Sequence, residues 1–306
     1  MPGPPLLLPP RGSIVVVPSM TQLLRNLSLA FATLSATALM AQPPSLTYSP
    51  PSQATPIGTT FVDFDSLTTR ITPVGQARAV FDAPTPTLEK FEVHITTLRL
   101  GMPSHAPHHH PWEEMLLLKE GTLDVSLNGQ KHRAVAGSLI FFASHDLHNV
   151  TNVGDTPATY YVINFYTDAV HTVPNQPAAE RAVPGMLPSS VIDCEHLAST
   201  PTKTGSRISV VDSPTLTFLR LESHITTLNA GQSTLPDMRD NGDELFIVKS
   251  GVIEAKCNGV TCRIRAGSLF YFAPNDPRGF KNIGTTPASY QVIKVMSDKS
   301  PKQQGA

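Results

Sequence analysis

The chain has 306 residues, with 23 basic against 24 acidic side chains and a formal net charge of −1. That length allows two domains, each with its own core. Near-neutrality without a long basic run argues against nucleic acid or an anionic membrane surface as partner, which leaves a small molecule as the expectation.

Residues 1–60 differ in kind from the rest, being rich in Pro, Ser, Thr and Ala with one apolar stretch, Leu27–Met40, after Arg25. A positive flank, a short apolar run and small residues up to Ala41 form the layout of a signal peptide over 1–41, cleaved before Gln42. The run is short for a bilayer span. Met20 is the better start, since residues 1–19 carry no targeting logic. These features predict export to a periplasmic or extracellular space, with no membrane attachment after cleavage. Residues 42–60 read as a disordered linker.

From Val62 the chain repeats itself. Val62–Asp168 returns as Ile192–Asp298 at a constant offset of 130, without insertion. His94-Ile-Thr-Thr-Leu98 recurs as His224-Ile-Thr-Thr-Leu228, and Thr156-Pro-Ala158 as Thr286-Pro-Ala288. The repeat predicts domains at 61–168 and 192–298. Between them, 169–191 carries four prolines and reads as a linker or packing arm, and 299–306 as a polar tail.

Within each copy, short apolar segments are separated by Gly, Pro, Asn or Asp, the pattern of an all-β sandwich or barrel. Met115–Leu118, Ser138–Phe142 and Tyr160–Ile163 are predicted strands, with copies at Leu245–Val248, Ser268–Phe272 and Tyr290–Ile293. Asn258-Gly259 is a hairpin-turn pair flanked by Cys257 and Cys262. Those two cysteines are either a disulfide across two strands or two small buried apolar residues. Cys194 has no evident partner.

The densest group of ligand-type side chains is His105-Ala-Pro-His-His-His-Pro-Trp-Glu-Glu114. On an extended strand, residues two apart share a side, so His108 and His110 converge while His109 points away. With Glu114, and with His148 beyond the next Gly-initiated strand, they supply three imidazoles and a carboxylate. Such a set suits one divalent transition metal (Mn, Fe, Ni, Cu or Zn) with coordination positions left for water or substrate. His105 and His145 are candidate proton-transfer groups near the barrel mouth, or exposed loop residues. Glu113 is either a residue orienting a ligand histidine or a solvated turn residue, and Trp112 a pocket wall or simple packing.

These spacings resemble the cupin superfamily. Gly101, six residues, His108-x-His110, three residues, Glu114, six residues and Gly121 reproduce its first motif with one extra residue after the first Gly. Gly137, His148 and Asn152 reproduce its second motif, with Ala143 and His145 where the family has Pro and Gly. The resemblance covers both copies and implies a bicupin of two tandem jelly-roll barrels, with metal on His108, His110, Glu114 and His148. In the second copy those histidines become Met238, Asp240 and Arg278, while Glu244 and Asn282 remain, so no metal is expected there. Arg278 is predicted to pair with Glu244 or Asp240 inside the barrel. His94 and His224, present in both copies, read as structural.

The family implies a metal-dependent enzyme for a small oxygen-rich or carboxylate metabolite, of the oxygenase, oxidase or decarboxylase type. Its alternatives are a non-oxidative isomerase, lyase or aminohydrolase (such as a ureidoglycine aminohydrolase), and a non-catalytic ligand-binding cupin. The two fused barrels resemble a pseudo-symmetric dimer in one chain, and association into a homo-oligomer is left open.

Overall fold

A computed structural model describes residues 55–177 and 183–302. The signal peptide, most of the 42–60 linker and the last four residues lie outside the described residues.

The structure is all-β, with short 3-10 turns as its helical elements among the described residues. No helix among them is long and apolar enough to cross a membrane. The first repeat contributes β1 (Thr60–Val62), β2 (Arg70–Thr72), β3 (Gly75–Ala83), β4 (Lys90–Leu98) and β5 (Glu113–Glu120). It continues with β6 (Thr122–Leu127), β7 (Gln130–Val135), β8 (Leu139–Phe142), β9 (His148–Asn152) and β10 (Ala158–Tyr166). The second repeats them as β11 (Ser190–Ile192), β12 (Ser199–Thr202), β13 (Gly205–Ser213), β14 (Arg220–Leu228) and β15 (Asp243–Ser250). It closes with β16 (Val252–Cys257), β17 (Val260–Arg265), β18 (Leu269–Phe272), β19 (Arg278–Asn282) and β20 (Ala288–Met296).

Each half is a two-sheet jelly roll. The first pairs a seven-stranded sheet, β11-β8-β5-β10-β4-β3-β2, with a three-stranded one, β7-β6-β9. The second pairs β1-β18-β15-β20-β14-β13-β12 with β17-β16-β19. The orders show a reciprocal exchange: β1 of the first repeat completes the sheet of the second half, and β11 of the second completes that of the first. The last residues of the 169–191 segment are therefore a strand rather than a linker. Phe61 and Val62, at the start of the first repeat, belong to the neighbouring sheet. The exchange covers the β8 and β18 edges, whose backbone groups would otherwise lack partners on that side.

The three largest apolar clusters among the described residues follow from this layering. One fills each barrel, around Leu123, Val125 and Ile140 in the first and Ile253, Phe246 and Phe280 in the second. The third lies between the halves and draws on both, with Phe91, Ile95, Phe141 and Ile163 facing Leu221, Leu245, Tyr271 and Ile293. Strand β10 is buried at every residue because one face lines its barrel and the other the interface, which explains its nearly continuous apolar sequence.

The turns retained by both repeats hold the barrels closed. Asn152 donates from Nδ2 to the carbonyls of Leu98 and Thr156, and accepts the Gly154 N–H. Asn282 repeats all three bonds with Leu228, Thr286 and Gly284. At the Asn258-Gly259 hairpin both residues have positive φ, 46° and 79°, as a type I′ turn requires. Cys257 there pairs with Val260 and Cys262 with Ala255, so the thiols sit diagonally rather than opposite. All three cysteines are free.

Candidate metal centre

The segment before β5 enters the barrel by pairing with β9. Backbone bonds run both ways between His108 and His148, at 3.1 and 2.9 Å, and Ser104 N–H donates to Val150. This extended conformation sends His108 and His110 to the same side. His109 is turned away toward His145, with ring centroids 5.7 Å apart. Glu114 reaches the same space from β5, and His148 from the start of β9.

The three imidazoles lie with ring centroids 4.7 to 5.3 Å apart, and ligand-capable nitrogens of all three fall within 4.8 Å of one another. Glu114 places Oε2 3.6 Å from His110 Nε2 and Oε1 3.9 Å from His148 Nε2. Nδ1 of His110 lies 2.8 Å from the carbonyl of Trp112, and Nδ1 of His148 lies 2.7 Å from that of Asp146. These contacts make Nδ1 the protonated nitrogen and leave the Nε2 lone pairs facing the cluster. Both Nε2 atoms are buried without a hydrogen-bond partner. Stacked rings hold the imidazoles in place, Trp112 on His110 at 4.2 Å and Phe142 on His148 at 4.1 Å.

The electrostatics agree with the geometry. Burial pushes His148 down to about 3, and burial together with the neighbouring His105 and His110 pushes His108 down to about 4, so both are neutral near pH 7. Burial works to raise Glu114, but the His110 contact and the surrounding imidazoles outweigh it and hold the carboxyl at about 2. Neutral imidazoles and an ionised carboxylate are the forms in which these groups bind a metal. The orphaned nitrogens therefore fit a divalent ion better than they fit an apolar core, where each would cost desolvation energy without return.

The cluster opens into a cavity of about 900 Å³, also lined by Arg70, Glu92, His94, His105, Tyr160 and Asn164. His94 Nδ1 lies 2.7 Å from Glu92 Oε1, and Asn164 donates to Glu92 Oε2 at 2.7 Å. Although burial opposes it, the contact with Glu92 raises the His94 pKa. Reading His94 as structural from its presence in both copies did not show that it faces this cavity. His224 makes the equivalent contact with Glu222, 2.8 Å, so the pair is a property of the fold as well. Trp112 does both things expected of it, walling the cavity and packing with Tyr166 and Val170.

The three candidate catalytic residues separate. His105 is exposed at the cavity, its ring 4.0 Å from that of His108. His145 is buried, with φ of 63°, at the position where the motif has Gly, and its N–H donates to the His110 carbonyl at 2.8 Å. It braces the loop that carries the ligands. Glu113 lies on the opposite face of β5 from Glu114, as the two-residue period requires. Its carboxylate accepts from Thr215 Oγ1 (2.5 Å), Thr217 Oγ1 (2.7 Å) and Leu216 N–H (3.1 Å), all in the second half. It orients no ligand histidine and is not a solvated turn residue. Asp243 at the matching position accepts from Thr87 and from Tyr271 Oη.

In the second barrel the corresponding space is filled by ion pairs. Arg278 contacts Glu244, both buried, and lies over the rings of Phe246 and Phe272. Asp240 is met instead by Lys294, 3.0 Å away, which also reaches Glu222 at 3.0 Å. No motif marks Lys294 in the sequence. It stands where the first repeat has Asn164, a lone lysine in a strand otherwise apolar on that face.

A family model described as the cupin domain matches residues 94–164 and again 224–294. The chain is a bicupin. No curated protein matches it in sequence at a significant level. Among solved structures, this bicupin is similar to protein Ylba from E. coli, with 12% identity and a TM-score of 0.61, covering 82% of this chain and 96% of that one. It is similar to Lactobacillus farciminis oxalate decarboxylase, solved as a formate complex, with 15% identity and a TM-score of 0.60, covering 81% and 88%. Bacillus subtilis oxalate decarboxylase, a protein with Mn(II) centres, matches with 14% identity and a TM-score of 0.58, covering 80% and 78%. At such identities the likeness shows the shared fold.

Proposed function

We propose that the first barrel of this bicupin holds one divalent transition metal on His108, His110, Glu114 and His148. There it would act on a small oxygen-rich or carboxylate-bearing metabolite in a reaction of the oxygenase, oxidase or decarboxylase type. The observation that carries this reading is the convergence of three imidazoles, those of His110 and His148 buried with unpartnered Nε2 atoms and that of His108 half-buried, and one ionised carboxylate on a single space open to a cavity. A bound metal would supply a Lewis acid for substrate oxygens and, if redox-active, a site for electron transfer.

The chain's own residues define the rest. The carbonyls of Trp112 and Asp146 fix the ligand tautomers, and Trp112 and Phe142 restrict ring rotation. A cavity of about 900 Å³ accommodates a small metabolite. Arg70 on edge strand β2 pairs with Ala77, which pairs with Thr96, placing it on the sheet face that lines the cavity. A cation at that mouth suits an acidic substrate, and the second repeat has Thr200 in its place. His94, oriented by Glu92, is a group in the same cavity able to accept or release a proton.

Elemental analysis of the full-length protein beside the His108→Ala, His110→Ala double variant tests the metal. About one equivalent per chain, lost in the variant, is expected from a single four-ligand site. Two equivalents would overturn the assignment of the second barrel, and no uptake would leave a ligand-binding cupin without metal chemistry. Oxygen consumption during turnover separates an oxidase or oxygenase from a reaction that does not use dioxygen. Export is proposed from residues 1–41 alone, and a mature N-terminus at Met1 or Pro2 would refute it.

A further inference from the structure

The two exchanged arms end on equivalent loops. Just before β11, Ser189 Oγ accepts the Ala143 N–H at 2.8 Å and donates to Asp146 Oδ2 at 2.6 Å. Just before β1, Thr59 Oγ1 accepts the Ala273 N–H at 3.0 Å and donates to the Asp276 carboxylate. Each hydroxyl therefore comes from one repeat and clamps the loop after the eighth or eighteenth strand in the barrel of the other.

What lies behind the two clamps differs. In the first barrel the backbone carbonyl of Asp146 accepts from His148 Nδ1, 2.7 Å away, the contact that aims Nε2 of His148 at the ligand cluster. In the second barrel the same loop leads to Arg278, whose guanidinium is held by Glu244 and by the Met238 carbonyl. Both loops carry a non-glycine residue in the left-handed region, His145 in the first barrel and Asn275 in the second, so the backbone form of the loop is shared. Beneath the first-barrel loop lies a cavity of about 540 Å³ bordered by Asp146, Ser189, Met186 and Leu187. The two bonds of Ser189 are the directional contacts between the arm and this loop.

We infer that Ser189, supplied by the metal-free repeat, is a positioning residue for the metal: it fixes Asp146, and through the Asp146 carbonyl it fixes the ring of His148. The inference rests on the metal reading above. It assigns the second half a part in the chemistry of the first. Glu113, next to the ligand Glu114 and gripped by Thr215 and Thr217, anchors the other side of the site in the same manner.

The duplication supplies its own control. Metal-free full-length protein is titrated with Mn(II), free ion being followed by its electron paramagnetic resonance, for wild type, Ser189→Ala, Ser189→Thr and Thr59→Ala. Removing a partner that orients a metal-bound histidine typically weakens affinity by roughly 10- to 100-fold, and the loss expected for Ser189→Ala is at the lower end. Ser189→Thr, which installs the residue used in the other clamp, is expected to restore near wild-type affinity. Thr59→Ala is expected to lower the melting temperature about as much as Ser189→Ala does while leaving Mn(II) affinity unchanged. If Ser189→Ala does not fold, Asp146→Asn is expected to give a smaller loss in the same direction. Unchanged affinity in the folded variant, or equal loss in Ser189→Ala and Thr59→Ala, overturns the inference and leaves the metal reading intact. A wild-type protein that takes up no Mn(II), Fe(II), Ni(II), Cu(II) or Zn(II) overturns both.

Discussion

The two barrels enclose the same carboxylate and neutralise it in different ways. Glu114 and Glu244 stand at equivalent places on β5 and β15, Glu244 buried and Glu114 nearly so, each facing a loop that brings in two residues two apart and a third from β9 or β19. In the first barrel those residues are imidazoles, with lone pairs aimed at a common space and a cavity above. In the second, Arg278 is covalently tethered where an ion would sit, and Lys294 balances Asp240 and Glu222. A buried carboxylate without a counter-charge is costly, so a barrel can keep its glutamate without a metal if a cation is built into the chain. The retained glutamate therefore does not distinguish the two barrels, and the three histidines do.

That comparison can be broken most directly at Arg278. Replacing it with Ala leaves Glu244 buried and unpaired, and a loss of about 3 to 5 kcal/mol is expected in urea denaturation. The double variant Arg278→Met, Glu244→Leu should recover most of it. An Arg278→Ala protein as stable as wild type would mean that the pair does not stand in for a metal.

The next effect concerns the interface that both halves share. Burial raises Glu113 to about 7 and also raises Asp243, in spite of the hydroxyls that donate to each. A carboxyl whose folded pKa lies above its unfolded value binds more protons when folded, so its contribution to stability is present at acid pH and is lost as pH rises through the folded value. For Glu113 the window runs from about 4.5 to about 7. The cost of ionising it there is at most about 3 kcal/mol. Melting curves of Glu113→Gln should be flatter than wild type across that window, and an identical pH slope would show that the interface carboxyls do not titrate as described.

The smallest effect is expected from the cysteines. With Cys257 and Cys262 diagonal across the hairpin and free, reductant should leave the melting temperature of the folded protein unchanged, and thiol titration after denaturation should find all three. A shift of several degrees would reveal a bond that the register does not favour.

Much of this was legible in the sequence, for reasons that can be named. The offset of 130 identified two copies of one unit, and the short apolar segments between turn residues identified strands. His108, His110, Glu114 and His148 were readable as a set because strand periodicity sends alternate residues to one side. Arg278 was readable as a partner for a carboxylate because a buried cation requires one. The choice of Glu244 over Asp240 came from the structure, since it depended on Lys294, a residue 54 positions from Asp240 and joined to it only by the fold.

Local periodicity fixes which residues share a face, but not what covers that face. The two faces of β5 carry Glu114 and Glu113, and nothing local distinguishes the one that looks into a barrel from the one that binds Thr215 and Thr217 across an interface. The same limit applies to the arms: Ser190–Ile192 and Thr60–Val62 are short segments whose partner strands could lie in either half. Their exchange was decided by long-range pairing, where the open edges of β8 and β18 meet the end of the other repeat's arm. Sequence alone determined the duplication, the strand class and the group of side chains that converge in the first barrel. Tertiary structure decided which half completes which barrel, and with it the contact between Ser189 and the loop of His148, because that contact joins residues brought together only by the packing of one repeat against the other.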